Sequence, residues 1–129
     1  MKMRPSQEVT DANTLNAKLA WVNSDLVFTG QLTGCSFVIK DLGGQIACTH
    51  IQPAGGAAET GRGLQERLTG YKVANTTIFG AKDYGVGNQA LVIGQRSGTW
   101  SIFAQIRPGG GSRDIDQVWQ IFPRKLRLK

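Results

Sequence analysis

The fold is decided by residues 28–53, which read FTGQLTGCSFVIKDLGGQIACTHIQP. Two runs within this stretch, residues 35–40 and 46–51, are rich in β-branched and aromatic side chains, which are typical of β-strands. Between them, Gly43 and Gly44 provide the positive φ angles that a two-residue hairpin turn requires. The stretch therefore predicts an antiparallel hairpin, around which the remaining elements are placed.

Helical spacing of apolar residues predicts two short helices outside this hairpin. Asp11 or Asn13 caps a helix over residues 11–22, and a second helix runs over residues 59–68 until Gly70 stops it. Runs of β-forming residues predict further strands at residues 26–29, 76–80, 90–94 and 100–104, and residues 118–122 are either a last strand or the end of a short helix.

The 17 glycines among 129 residues favour a fold with many tight turns. Glycine loops are expected at residues 54–58 and 109–111, and a hairpin is expected to turn at residues 96–98. This order of elements predicts an α+β fold, in which antiparallel β-sandwich-like sheets carry a few peripheral helices. The length predicts a single domain over residues 1–129.

Charge and hydropathy restrict the location and the partners of the chain. Lys and Arg number 15 against 9 Asp and Glu, and four of the basic residues lie within residues 124–129. Such a basic segment can bind nucleic acid, an anionic membrane or an acidic protein, or simply remain solvated. No apolar run approaches the ~18 residues of a membrane span, and no apolar stretch follows the basic start, as a Sec signal would require. We therefore expect neither feature.

The cysteine and histidine content argues against a metal site or a disulfide framework. The chain has two cysteines, Cys35 and Cys48, and a single histidine, His50. Without a signal peptide, two cysteines are expected to be reduced thiols. No CxxC or HxxxH spacing is present to bind zinc, so we expect no metal and no cofactor.

The position of the hairpin turn decides whether Cys35 and His50 can meet. If the glycine pair is the turn, Phe37 pairs with His50 and Cys35 pairs with Gln52, so that Cys35 and His50 are diagonal neighbours on one face. A turn one residue earlier would pair Cys35 directly with His50. A three-residue loop would place the two side chains on opposite faces of the hairpin.

A thiol beside an imidazole indicates nucleophilic catalysis. A protonated His50 ring would lower the pKa of the Cys35 thiol from about 8.5, so that a thiolate would exist at neutral pH. Gly34 would let a substrate approach closely, whereas Ser36 and Thr49 are expected on the opposite face. Catalysis requires the thiol and the ring to share one pocket that solvent reaches; otherwise both are ordinary core residues.

The tetrapeptide LTGC at residues 32–35, followed fifteen residues later by His50, resembles the L-[ST]-G-C…H signature of the cytotoxic necrotizing factor type of bacterial deamidases. The Burkholderia lethal factor and the chemoreceptor deamidase CheD share this core. In these two, a threonine six residues before the cysteine orients the histidine through its backbone carbonyl, and Thr29 occupies that position here. Thr33 stands where serine is usual.

The resemblance implies hydrolysis of a protein glutamine side chain to glutamate with release of ammonia. It implies Cys35 as the nucleophile, His50 as the general base and Thr29 as the residue that orients the ring, without a cofactor. The implied partner is a protein substrate that bears the target glutamine, such as a host GTPase or translation factor. The implied protein is a bacterial toxin or effector, secreted or translocated into a host cell without a Sec signal, or otherwise an enzyme of the bacterial cytoplasm.

Residues beside the motif are the expected substrate-binding positions. Gly34 borders the thiol, and Gln31 and Gln52 flank it with amide groups that can bind a carboxamide. Asp83 and Tyr84 are either further substrate-binding residues or, as we expect, part of an ordinary exposed loop.

Two non-catalytic interpretations remain open. A basic β-domain would bind nucleic acid or an acidic protein through residues 124–129, although a deamidase is not expected to bind nucleic acid. A structural or adaptor domain would bury Cys35 and His50 without using their chemistry.

Overall fold

The computed structural model describes residues 1–54, 59–110 and 114–129. The strands in these ranges are β1 Met3–Pro5, β2 Ala20–Trp21, β3 Leu26–Phe28, β4 Ser36–Asp41, β5 Ile46–Gln52, β6 Thr76–Phe79, β7 Asn88–Ser97, β8 Thr99–Pro108, β9 Gln117–Phe122 and β10 Leu126–Arg127. The α-helices are α1 Ala12–Lys18, α2 Gly61–Gly70 and α3 Ala81–Tyr84, and a 3-10 helix spans Ser6–Glu8. The predicted loop at 54–58 lies mostly outside the described residues, as does residue 111 of the second glycine loop.

The strands form two five-stranded sheets that face each other. The first sheet has the order β1-β5-β4-β6, with β2 also paired to β5, and the second has the order β10-β9-β8-β7-β3. All pairs are antiparallel except β1 with β5, among the strands described. The structure confirms the predicted α+β class with antiparallel sheets and few helices.

The central hairpin has the predicted glycine turn. The amide of Leu42 donates to the carbonyl of Gln45 at 2.8 Å, and Gly43 and Gly44 between them have φ angles of 75° and 95°. Two consecutive positive φ angles match the twist of the flanking strands, which is why this turn closes β4 onto β5 without splaying them. The hairpin therefore has the register that the glycine pair predicts.

Two separate cores hold the layers together. Side chains from both sheets fill the space between them, including Phe37, Phe79 and Ile102, which are fully buried. On the outer side of the first sheet, Leu15 of α1 and Leu64 of α2 belong to a second core. The alternation of side chains along β4 and β5 thus supplies both cores, because successive residues of a strand point to opposite faces.

The outer side of the second sheet exposes apolar side chains to solvent. Four apolar side chains on β3 and β7 are 40–55% exposed there: Leu26, Phe28, Leu91 and Ile93. Phe28 and Ile93 are cross-strand partners, so these side chains form a patch rather than isolated positions.

The helix predicted over 11–22 is shorter in the structure. Asp11 caps it as expected, because its carboxylate accepts a hydrogen bond from the amide of Thr14 at 2.8 Å. The helix ends at Lys18, and Ala20–Trp21 instead pairs with β5 as β2. Tertiary pairing at the sheet edge has overridden the helical spacing of the apolar residues.

Candidate active site

The hairpin places Cys35 and His50 on the same face of the first sheet. Cys35 lies immediately before β4, and His50 lies within β5 opposite Phe37. Cys35 and Phe37 both point into the core between the sheets, and His50 shares the face of its partner Phe37. Cys35 and His50 are therefore diagonal neighbours, for which Cβ separations of about 7 Å are usual.

The thiol and the ring are closed off from solvent. Cys35 is 5% exposed and His50 is 1% exposed. Neither ring nitrogen of His50 has a hydrogen-bond partner among the described residues, so no bond joins the ring to the Cys35 sulfur. The expectation of a solvent-reached pocket shared by the two side chains is therefore not met in this arrangement.

Burial also sets the charge state of both groups. Burial raises the pKa of the Cys35 thiol above its ordinary value, and a backbone hydrogen bond from Thr33 only partly offsets this. Burial lowers the pKa of His50 to about 4. At neutral pH both groups are thus uncharged, whereas we expected a thiolate–imidazolium pair. The difference arises because burial desolvates the charged form of each group.

Thr29 is fixed to the second sheet rather than to the histidine. Its amide donates to the carbonyl of Val92 and its hydroxyl accepts from the amide of Val92, both at 3.1 Å. Because the nitrogens of His50 are unpaired within the described residues, the carbonyl of Thr29 does not orient the ring here. The orienting role of Thr29 stays a prediction.

The three expected substrate-binding residues differ in their surroundings. Gly34 has a φ of 88°, a backbone conformation that residues other than glycine rarely adopt. It also lines a surface cavity of about 440 Å³. Gln31 and Gln52 are both exposed, and neither forms a side-chain hydrogen bond among the residues described. Gly34 therefore brings this cavity within one residue of the candidate nucleophile along the chain.

Tyr84 contacts this site through a hydrogen bond that the sequence did not indicate. It is 1% exposed, not part of an exposed loop, and its hydroxyl donates to the carbonyl oxygen of Cys35 at 2.8 Å. Burial raises the pKa of Tyr84, so the hydroxyl keeps its proton and remains a donor. The only local signal was the three-residue spacing of Ala81 and Tyr84, which is typical of one inward-facing helical turn.

The remaining residues of the hairpin follow the predicted alternation. Thr49 pairs with Val38, which belongs to the core on the helical side of the sheet. Cys48 shares the face of His50 but lies in mid-strand, where burial raises the pKa of its thiol to about 12. No group of three metal-ligating side chains occurs in the described parts of the chain.

The comparisons with known proteins identify no family. No protein-family model matches the chain, and no curated protein and no solved structure matches it. Among the helices described, none has both the length and the hydropathy needed to cross a membrane. The function is therefore inferred from the residues and their arrangement.

Proposed function

We propose that the chain is a cysteine-dependent protein glutamine deamidase, with Cys35 as the nucleophile and His50 as the general base. One observation carries the proposal: the register of β4 and β5 brings the chain's single histidine onto the same face as the cysteine of the LTGC motif. A one-residue change in the loop would have separated them.

The closed site must open before the reaction begins. With the thiol pKa raised and the pKa of His50 lowered to about 4, transfer of a proton from sulfur to nitrogen is unfavourable while both are buried. Access of water and substrate would relax both pKa values towards those of exposed groups, and would strengthen the pairing of thiolate with imidazolium. Opening is thus both a steric and an electrostatic requirement.

The proposed chemistry proceeds through a thioester. His50 takes the proton of the Cys35 thiol as the sulfur attacks the carboxamide carbon of glutamine. The tetrahedral intermediate expels the nitrogen, which leaves as ammonia after it receives the proton from His50. His50 then removes a proton from water, whose oxygen attacks the thioester, and returns that proton to the departing sulfur, so that the products are glutamate and the free Cys35 thiol.

Two neighbouring residues support this role for Cys35. The hydrogen bond from Tyr84 fixes the carbonyl of Cys35, and thereby the direction of the backbone at the candidate nucleophile. Gly34 leaves the approach to the thiol free of a side chain, and its positive φ turns the chain into β4. We propose that Thr29 contacts the His50 ring only in the open state.

The proposed biological role follows the resemblance of the motif. We propose that the protein is a bacterial effector or toxin that deamidates a host protein after translocation without a Sec signal. A GTPase or a translation factor is the proposed class of target.

The test is ammonia release from the soluble proteins of a eukaryotic cell lysate, with mass spectrometry to locate glutamines converted to glutamate. The intact protein should convert specific glutamines, whereas Cys35→Ser and His50→Ala should not. Cys48→Ala is the matched control because it removes the other buried thiol of the same sheet. Equal conversion by Cys35→Ser and the unaltered protein would disprove the proposal.

A basic groove favours one alternative function. Residues near the C-terminal strand, including Lys72, Arg124 and Lys125, line a surface cavity of about 440 Å³. The charge of Lys125 is partly neutralised, since its ammonium group forms a salt bridge with Asp83 at 3.1 Å. A binding domain for acidic proteins or nucleic acid would bind more weakly as salt rises and would tolerate Cys35→Ser, which separates it from the deamidase.

A further inference from the structure

We infer that the cavity beside Gly34 receives the residues next to the target glutamine, and that Arg62 and Val86 select an acidic and an apolar neighbour there. This inference depends on the proposed function. It names the class of substrate: an accessible protein segment in which the glutamine is flanked by one acidic and one apolar residue.

The cavity lies beside Cys35 because Gly34, the residue before it in the chain, forms part of the cavity wall. Its volume of about 440 Å³ lies within the range of ligand-binding clefts. Gly34 forms part of its wall and is bonded directly to Cys35, so the cavity begins one residue from the candidate nucleophile. The opposite walls come from the first turns of α2 and from the segment around α3.

The absence of side chains at two positions brings α2 close to the motif. A Cβ at Gly61 would lie 2.7 Å from the carbonyl oxygen of Gly34 and 2.8 Å from its Cα. Only a glycine therefore allows α2 to begin against this backbone without displacing it. This contact places Arg62, the next residue of the helix, at the rim of the cavity.

The charges at the rim do not cancel. Glu66 lines the cavity but is paired with Lys82 at 2.6 Å. Arg62 is exposed and forms no salt bridge with any residue that the structure describes, and its charge lowers the pKa of Glu66 less than Lys82 does. With Glu66 compensated by Lys82, the guanidinium of Arg62 leaves the rim positive, which favours an acidic substrate residue.

Val86 supplies an apolar contact on the other side. It is 74% exposed, although it is a β-branched apolar residue, and it lines the same cavity. Gly85 and Gly87 on either side have φ angles of 94° and 83°, so the backbone presents Val86 at the tip of a tight loop. An apolar side chain of the substrate would cover Val86 and remove its apolar surface from water, which would stabilise the bound substrate.

The experiment uses glutamine-containing peptides with acidic, neutral or basic residues before and after the glutamine, with either an apolar or a polar second neighbour. Ammonia release is measured for the unaltered protein and for Arg62→Glu, Val86→Ser and Arg96→Glu. Arg96 is the control, because it is also exposed but lies towards the far end of β7, roughly 25–30 Å from Val86 by the rise of a strand.

We expect the unaltered protein to prefer an acidic neighbour by roughly tenfold, and Arg62→Glu to invert this preference. Val86→Ser should lose the preference for an apolar neighbour, while Arg96→Glu should keep both preferences. Ammonia release without these preferences, or preferences unchanged in Arg62→Glu, would refute the inference but leave the proposed function intact.

A second measurement covers peptides that are bound but not turned over. Peptides with the preferred neighbours should slow iodoacetamide labelling of Cys35, and peptides with a basic neighbour should not. If no peptide is deamidated and none protects Cys35, the docking inference is wrong. The proposed function is tested independently by the conversion of lysate proteins, so the two failures can be told apart.

Discussion

Cys35 and Cys48 are two buried thiols on one face of one sheet, and they differ in what surrounds them. Cys48 lies in the middle of β5, where strands cover it on both sides. Cys35 precedes β4, next to a glycine of positive φ that lines a surface cavity. Small local movements can expose a residue at a strand end, whereas a mid-strand residue is exposed only when the sheet comes apart. Position in the strand, rather than burial, therefore separates a candidate nucleophile from a core residue.

The largest expected effect concerns activity. Cys35→Ala should reduce deamidation by about 10³-fold or more, since the only other thiol of the chain, Cys48, is buried in mid-strand. Cys48→Ala should retain most of the activity and lose about 1–2 kcal/mol of stability through the cavity it leaves. The measurements are ammonia release and urea unfolding of both variants. Comparable activity losses in the two would remove the distinction.

Acid should destabilise the protein because it protonates the buried ring of His50. The folded-state pKa of about 4 lies below the unfolded value of 6.5, so the stabilisation is present above pH 6.5 and is lost as pH falls towards 4. At about 1.4 kcal/mol for each unit of pKa difference, the full effect amounts to roughly 3.5 kcal/mol.

Urea midpoints between pH 7 and 4.5 measure this acid sensitivity. His50→Leu, which cannot titrate, should lose less stability over that range than the unaltered protein does. The same slope in both proteins would show that His50 is not held neutral by burial.

Thiol labelling should distinguish the two cysteines directly. We expect iodoacetamide to modify Cys35 about 100-fold faster than Cys48, because local opening is more frequent than unfolding of the sheet. Since the pKa of Cys35 is raised, its labelling should still accelerate as pH rises above 8, as the thiolate fraction grows. Peptide mass spectrometry after timed labelling measures both rates. Equal rates at both sites would contradict the comparison.

The support of Cys35 by α2 can be tested with paired glycine substitutions. Gly61→Ala should cost about 2 kcal/mol, because its Cβ meets the backbone of Gly34, which cannot give way cheaply. Gly70→Ala is the matched control in the same helix, where a Cβ has nothing within 4 Å and should be neutral or slightly stabilising. Thermal unfolding of both variants measures the difference. A similar effect at the two positions would mean that the close approach does not matter.

The smallest expected effect is that of Tyr84→Phe. Loss of the hydrogen bond to the carbonyl of Cys35 should cost about 1 kcal/mol and increase the rate of Cys35 labelling, with no change at Cys48. Tyr71→Phe serves as a control that leaves this bond intact. An unchanged Cys35 labelling rate in Tyr84→Phe would show that the bond does not position the nucleophile.

Local chemistry predicted the hairpin, whereas its surroundings depend on long-range packing. Gly43 and Gly44 determined the turn, and the turn fixed the faces of Cys35 and His50. The contact of Tyr84 with Cys35 joins residues 49 apart in sequence, and no local pattern encodes it. The charge states followed from burial at the interface of the two sheets, which depends on how the sheets stack.

The short edge strands were likewise missed. Met3–Pro5 and Ala20–Trp21 form strands because β5 offers an unpaired edge, although neither segment has the length or the alternation that predicts a strand. Leu126–Arg127, which lies within the basic segment 124–129, forms a strand that pairs with β9. The composition of that segment predicted its charge but not this pairing.

The apolar patch of Phe28 and its neighbours on the second sheet has a consequence for handling the protein. The formal charge of +6 repels one molecule from another at low ionic strength and keeps these patches apart. At about 0.1 M salt the repulsion is damped within roughly 10 Å, so that the patches can approach one another. Solubility should therefore be greatest at low ionic strength. Polyanions that neutralise the positive surface should cause the protein to precipitate.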